Sequence, residues 1–233
     1  MYNVFCIQKR LLLKIFVYTL NTMEIQHQDL SYEIYKRLKS MILANEFEAG
    51  AKLKQEHIAT MFGVSRMPLH RAFQMLENEM LVESIPRRGY FVTKINASQL
   101  IDAFECREAL EGIAARRAAK NITKDQLEYL KSLFEKFIGV QEINVPEYLE
   151  SDQEFHNTIM KISGNQIINR LELLGNNTIR TFRGGLLRPP RETLPEHLEI
   201  LAALEKGDGE LAEKLIRAHA YKSMETLRER NKK

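Results

Sequence analysis

Gly63-Val64-Ser65-Arg66-Met67-Pro68-Leu69-His70-Arg71-Ala72-Phe73-Gln74-Met75-Leu76 is the stretch whose reading decides the fold. It predicts a short turn feeding a helix. Ser65 suits the N-cap, where a hydroxyl can accept an orphan backbone N–H of the first turn. Pro68 fits only inside that first turn, where no intrahelical N–H is lost. At helical period Leu69, Ala72, Phe73, Leu76 and Met80 share one face. Arg66, Met67, His70, Arg71 and Gln74 share the other, and no acid lies between Arg66 and Leu76. A helix with a buried back and a basic front, entered through a tight turn, matches what the major groove accepts. An ordinary surface helix with solvated cations explains the same stretch equally well, so its neighbours must decide.

Upstream, Leu30 to about Ala44 is predicted helical, with Leu30, Ile34, Leu38, Met41 and Ile42 on one face. Glu48-Ala49-Gly50 reads as a turn and Ala51-Lys52-Leu53 as a short extended segment. Gln55 to Phe62 is a second short helix with Ile58, Ala59 and Phe62 inward, and Gly63 can take the left-handed conformation that ends it. Two short helices around a glycine turn form a helix-turn-helix. Downstream, Leu81–Ile85 and Tyr90–Thr93 are β-rich runs flanking Pro86-Arg87-Arg88-Gly89, the pattern of a hairpin. A hairpin with two arginines at its tip, directly after a helix-turn-helix, is a winged helix. Its wing can set Arg87 or Arg88 against a phosphate or in the minor groove. That context selects nucleic acid over a merely solvated face.

Composition narrows the rest. The chain has 233 residues, 34 Lys and Arg against 31 Asp and Glu, and a formal charge of +3. Lys9, Arg10 and Lys14 account for that whole excess, so a case for nucleic acid rests on local patches, not bulk charge. Cys6 and Cys106 are too few for a disulfide framework or a thiolate metal site, which fits a reducing cytosol. Residues 1–22 are apolar but interrupted by Gln8, Lys9, Arg10 and Lys14. They form neither the roughly 20-residue apolar run of a membrane span nor a secretory signal. They are expected to be an extension ahead of a start at Met23, followed by a DNA-binding domain over 23–95 and a helical domain over 98–230.

From Ser98 onward there is no strand signal. Six helices are predicted: Ser98 to Ala119; a second capped at Thr123 and reaching about Ile138; Val145-Pro146 to Gly164; Asn165 to about Arg183; a fifth after Pro189-Pro190 ending at Gly207; and Asp208 to Arg230. Short connections make them an antiparallel bundle. The expected fold class is therefore mostly α: a winged helix-turn-helix followed by an all-α six-helix bundle.

Three histidines fall in that bundle. Asp152 and His156 are four apart on one helix, so carboxylate and imidazole share a face. His197 lies among Leu194, Leu198, Leu201 and Leu204, and His219 on the line of Leu211, Leu215 and Ala218. Three imidazoles and a carboxylate aimed inward suit zinc, nickel or manganese, with bonds of about 2.0–2.2 Å for zinc. Singly, a histidine on an apolar face is more often a hydrogen-bonded core residue, and an Asp-x-x-x-His pair such as Asp152–His156 more often a surface pair.

Two resemblances sharpen this reading. Leu53 to Leu69, L-x-x-x-x-I-A-x-x-F-G-V-S-R-x-P-L, and Leu81 to Val92, L-V-x-x-x-P-x-R-G-x-F-V, resemble the winged helix of the GntR family of bacterial transcription regulators. The resemblance implies base and phosphate contacts from Arg66 and from Arg88-Gly89. Ser65, Met67, His70, Arg71 and Arg87 complete the candidate DNA-contacting set. The chain departs from the family at His70-Arg71, where Arg-Glu is usual, and at Ala49-Gly50, where Pro-Gly is usual; the first departure changes the expected operator. Arg107-Glu108-Ala109-Leu110-Glu111, Asp152-x-x-Phe155-His156, Ser163-Gly164-Asn165, His197-x-x-Ile200-x-x-Ala203-Leu204-x-x-Gly207-Asp208 and His219 resemble the FCD ligand-binding domain of the FadR-type subgroup, in its six-helix VanR-like form. That resemblance implies a divalent ion held by Asp152, His156, His197 and His219. It also implies an effector cavity faced by Arg107, whose guanidinium suits a carboxylate. Arg107 otherwise reads as an ion pair with Glu111 or Glu108, and Arg180 and Arg183 as weaker effector candidates.

The implied function is a cytoplasmic, homodimeric transcription regulator, a repressor and not an enzyme. It would bind a palindromic double-stranded operator under the control of a small carboxylate or sugar acid, with no membrane association. The alternatives are a metal-dependent hydrolase, since an Asp/His₃ site can activate water, a metal-free regulator of acyl ligands, and a purely structural DNA-binding protein.

Overall fold

Leu69, Ala72, Phe73 and Leu76 have no exposed surface at all, and the first half of the chain packs around them. The structure is a computed structural model that describes residues 30–171 and 186–231. It divides into two units, Met1–Thr93 and Lys94–Lys233. The extension expected over 1–22, Met23, Arg180, Arg183, Gly184-Gly185 and most of the helix expected over 165–183 lie outside the described residues.

In the first unit, α1 (30–43) is followed by β1 (Lys52–Leu53), α2 (Gln55–Phe62), α3 (Arg66–Asn78), β2 (Val82–Ile85) and β3 (Gly89–Val92). Ile34, Leu38 and Ile42 of α1 are buried as their spacing predicts, whereas Leu30 is exposed. Gly63 ends α2 at φ 65° and its N–H reaches back to the carbonyls of Ala59 and Thr60, a left-handed cap. Ser65 takes the extended N-cap conformation of α3, but its side chain makes no cap bond. Met80 is not on the buried face: α3 has already ended, and Met80 sits at φ 59°, exposed.

The three strands form an antiparallel sheet in the order β1-β3-β2. Leu53 pairs with Tyr90, and Val82 with Val92. Strand alternation turns Leu53, Val82, Tyr90 and Val92 inward. There the Tyr90 ring stacks on Phe73 with centroids 4.5 Å apart, locking the sheet to α3. Burial of these apolar side chains, at roughly 1.5–3 kcal/mol each, is what orients α3 with its basic face outward.

The second unit contains α4 (Ala97–Asn121), α5 (Lys124–Glu135), α6 (Val145–Ile162), α7 (described over 166–171), α8 (Pro190–Glu205) and α9 (Gly209–Arg230). Among the described residues 94–171 and 186–231 no strand occurs. Sequence signals mark most helix starts. Asn96 with Gln99, and Thr123 with Gln126, form reciprocal capping boxes, and Asn144 and Asp208 cap α6 and α9. α5 stops at Glu135, short of Ile138, which is exposed.

α4 and α9 lie against each other. A Cβ on Gly209 would come within 2.7 Å of the Arg116 carbonyl oxygen, so only glycine permits that approach. The core joins Ala114, Ala115 and Ala118 of α4, Phe134 of α5, Tyr148 and Phe155 of α6, Ile200 and Leu204 of α8, and Ile216 of α9. Phe134 stacks on His197, 4.6 Å between centroids. The histidines are thus built into the core itself. No described helix is long and apolar enough to cross a membrane.

Candidate metal centre and nucleic-acid interface

In the first unit, burial of the apolar side of α3 leaves Ser65, Arg66, Met67, His70, Arg71 and Gln74 exposed. Arg66 Nη2 lies 2.7 Å from Glu56 Oε1 of α2, and both side chains remain largely in solvent. His70 Nε2 is 3.5 Å from the Tyr90 hydroxyl, which leans this imidazole toward the sheet.

At the hairpin tip the Arg88 N–H donates to the Ile85 carbonyl, 3.0 Å away. Proline at the first central position and a positive φ at the second are the marks of a type II turn, whose second position normally takes glycine. Here that residue is Arg87, at φ 64°. Gly89 follows at φ 96°, and the Arg88 guanidinium sits 5.4 Å from the Phe91 ring centroid. Lys52, Lys54, His57, Arg66, Arg88 and Gly89 line one shallow cleft, with Glu56 as its acid. The sequence reading did not include Lys52, Lys54 or His57. The pairing of β1 with β3 brings Lys52 beside the wing, and that register was not written in the local pattern.

In the second unit, Asp152 and His156 of α6, His197 of α8 and His219 of α9 converge. One ligand atom from each lies within 4.8 Å of all the others. His197 Nε2 is 3.3 Å from Asp152 Oδ1. All three imidazoles are buried.

The remaining ring nitrogens face partners outside the cluster. His197 Nδ1 is 3.0 Å from the Tyr148 hydroxyl, itself 2.8 Å from Thr193 Oγ1. His219 Nδ1 is 2.7 Å from Glu196 Oε2. His156 Nδ1 is 2.8 Å from Glu111 Oε2, ion-pair reach though off the line of a hydrogen bond. His156 Nε2 and His197 Nε2, like His156 Nδ1, are buried with no hydrogen-bond partner. Buried ring nitrogens are normally satisfied, so orphaned Nε2 atoms on two residues of one close cluster fit a metal ligand set. Burial, with the neighbouring imidazoles, holds His197 well below its ordinary value. Burial also lowers His156, against the pull of Glu111. Both are therefore neutral near pH 7, the form that ligates a cation.

Burial pushes the Glu111 carboxyl up, but Arg107 and His156 outweigh it and bring it down to about 2. Glu196 is likewise held well below the usual range, because bonds from Arg188, His219 and Lys222 outweigh its burial. A cavity of about 70 Å³ opens beside the cluster, and its lining includes Arg107, Asp152, Arg188, Thr193 and His219. Arg107 pairs with Glu111, Nε to Oε1 at 2.6 Å, and lines the cavity as well. Arg188, Glu196, Glu111 and Tyr148 were not read from the sequence as part of this site. The i,i+4 spacing of Arg107 and Glu111 was the signal available for Glu111; Glu196 meets His219 of α9, which no local spacing marks.

Residues 102–222 match the FCD domain family, and residues 30–92 match the family described as bacterial regulatory proteins, gntR family. The chain is 30% identical over 207 residues to the HTH-type transcriptional repressor RspR of Escherichia coli (strain K12), covering 87% of this chain and 90% of that one. It is 31% identical over 173 residues to a protein described as a probable D-xylose utilization operon transcriptional repressor from Paenarthrobacter nicotinovorans, covering 73% and 76%. The solved structure of E. coli McbR/YncC superimposes with a TM-score of 0.70 at 22% identity, covering 87% of this chain and 98% of that one, a likeness of fold.

Proposed function

The chain belongs to the GntR family of DNA-binding transcription regulators, with a C-terminal FCD domain, and on that premise we propose a repressor whose grip on its operator is set by a small carboxylate bound at a metal centre in the helical unit. One observation carries the metal-and-effector reading. Asp152, His156, His197 and His219 bring their ligand atoms together beside a cavity lined by Arg107 and Arg188, and His156 Nε2 and His197 Nε2 are orphaned.

Those four side chains would hold zinc, nickel or manganese. A bound divalent ion supplies positive charge and open coordination positions to a carboxylate or hydroxy acid. The chain's own residues do the rest. Arg107 and Arg188 offer guanidinium forks to an acid. Tyr148, Glu111 and Glu196 orient the imidazoles. The presence of all four ligand residues favours this reading over a metal-free regulator of acyl ligands.

On DNA, Arg66, Met67, His70 and Arg71, entered through Ser65, would face the major groove, and Arg87, Arg88 and Gly89 the adjacent backbone or minor groove. A homodimer would place two such helices on half-sites about 34 Å apart. An effector can shift operator binding only as far as its affinities for the two states differ.

The test is thermal unfolding of the full chain with and without a chelator, against a panel of small carboxylates and sugar acids, followed by operator binding with the acid that shifts the melt. A ligand specific to the folded state at 100 times its Kd adds about 2.7 kcal/mol. A chelator-sensitive melt raised by one acid supports the proposal. A melt indifferent to chelator and acids returns the histidines to core packing.

A further inference from the structure

Arg107 and Arg188 both line the cavity, and both stand in the same kind of chain. Arg107 Nε is 2.6 Å from Glu111 Oε1, and Glu111 Oε2 is 2.8 Å from His156 Nδ1. Arg188 is forked on Glu196, with Nη1 to Oε2 at 2.7 Å and Nη2 to Oε1 at 2.8 Å, and Glu196 Oε2 is 2.7 Å from His219 Nδ1. In each case one carboxylate divides its charge between a guanidinium at the cavity and the outer nitrogen of an imidazole whose inner nitrogen faces the cluster.

We propose that Arg107–Glu111–His156 and Arg188–Glu196–His219 are two parallel relays through which an anion in the cavity and a divalent ion on the imidazoles raise each other's affinity. The inference rests on the metal-and-carboxylate reading above and adds its regulation, assigning Glu111 and Glu196 as positioning residues.

The physical chain is short. An anion that engages Arg107 neutralises the guanidinium and weakens its claim on Glu111. More of the carboxylate charge then faces the His156 ring, and a carboxylate on the outer nitrogen makes the inner one a better donor to a cation. In reverse, a cation on the inner nitrogen would make the outer N–H more acidic and draw it more strongly toward Glu111. The guanidinium is thereby released toward the cavity. Linkage requires the two effects to be equal in free energy.

The first relay is the better shielded from water of the two. Glu111 is 1% exposed, so little water screens it. Glu196 is more open and also bonds Lys222 Nζ at 2.7 Å, a third claim on its charge. Neither relay is visible as a motif, since each crosses from one helix to another.

Arg107→Gln imitates what an anion does to the guanidinium, so the test needs no knowledge of the ligand. Zn²⁺ affinity of the full chain is measured by competition with a chromophoric chelator, with the melt of each metal-free variant as a folding control. Glu111→Gln is expected to weaken Zn²⁺ binding by about tenfold or more, and Glu196→Gln by less. Arg107→Gln is expected to tighten it several-fold, and to change nothing when Glu111→Gln is already present. If Arg107→Gln weakens Zn²⁺ binding, the arginine merely props Glu111 and the relay is wrong. If it tightens binding equally with Glu111→Gln present, the guanidinium acts directly on the ion, and the relay is again wrong. If the wild-type chain binds none of Zn²⁺, Ni²⁺ or Mn²⁺, the metal reading fails first and takes the relay with it.

Discussion

The Tyr148 hydroxyl lies 3.0 Å from His197 Nδ1, on the side of the ring opposite Asp152. A buried imidazole fixed on one nitrogen presents the other in a set direction. Tyr148→Phe removes that bond and keeps the ring that packs between Phe134 and Phe137. It also removes the bond to Thr193 Oγ1, and is expected to cost about 1–3 kcal/mol of stability, because buried partners are left unsatisfied. It is also expected to weaken metal binding about tenfold. Chelator competition beside a denaturant melt checks both; unchanged metal affinity would show that Phe134 alone orients His197.

His219 is the proposed ligand on α9, and an ion held by the cluster would tie that helix to α6 and α8. His219→Gln is expected to abolish chelator sensitivity of the melt. The metal-free melt should stay near that of the wild-type apo protein, because Gln can still bond Glu196. A variant that remains chelator-sensitive would mean the other three residues hold the ion without it.

On the DNA-facing unit, Glu56 sits against Arg66 in the open. Exposed pairs of this kind contribute little to stability. Glu56→Gln is expected to leave the melting temperature unchanged and to tighten DNA binding, because it removes an anion from a surface that would meet phosphates. Fluorescence anisotropy on an operator fragment reads the outcome. Weaker, less sequence-selective binding would show instead that Glu56 poses Arg66 for its base.

Arg87 occupies a left-handed backbone position, which disfavours a side chain by roughly 1–2 kcal/mol. Glycine there relieves the strain but loses a cation. Arg87→Gly is expected to melt no lower than wild type, while its operator affinity falls and its salt slope shrinks by about one. An undiminished salt slope would mean that Arg87 touches no phosphate.

The division between what was legible and what was not follows the range of the interactions. Apolar period and Gly63 marked α2 and α3, alternation and Pro86–Gly89 marked the hairpin, and Thr123, Pro146 and Asp208 marked helix starts, while the caps Asn96 and Asn144 emerged only with the structure. All of these act within a few residues. Local signals failed where a turn overrode the helical count: Met80 fell off its expected face because α3 ended two residues earlier.

The site divides in the same way. Asp152 and His156 share a helix face by spacing alone, and His197 and His219 lie on the apolar lines of their own helices. The amino-acid sequence by itself thus determined which four side chains point inward, and which face of α3 stays basic. It did not determine what stands behind them. Glu111 reaches His156 from α4, Glu196 reaches across to His219 on α9, Tyr148 reaches across to His197 on α8, and Arg188 reaches the cavity from the segment before α8. Those pairings depend on how whole helices pack, through the burial of residues such as Ala114, Phe134 and Ile216. A buried charge is tolerated only where it is paired; Arg107 meets Glu111 from its own helix, but the imidazoles that Glu111 and Glu196 face arrive from other helices, and that arrival is decided by tertiary structure alone.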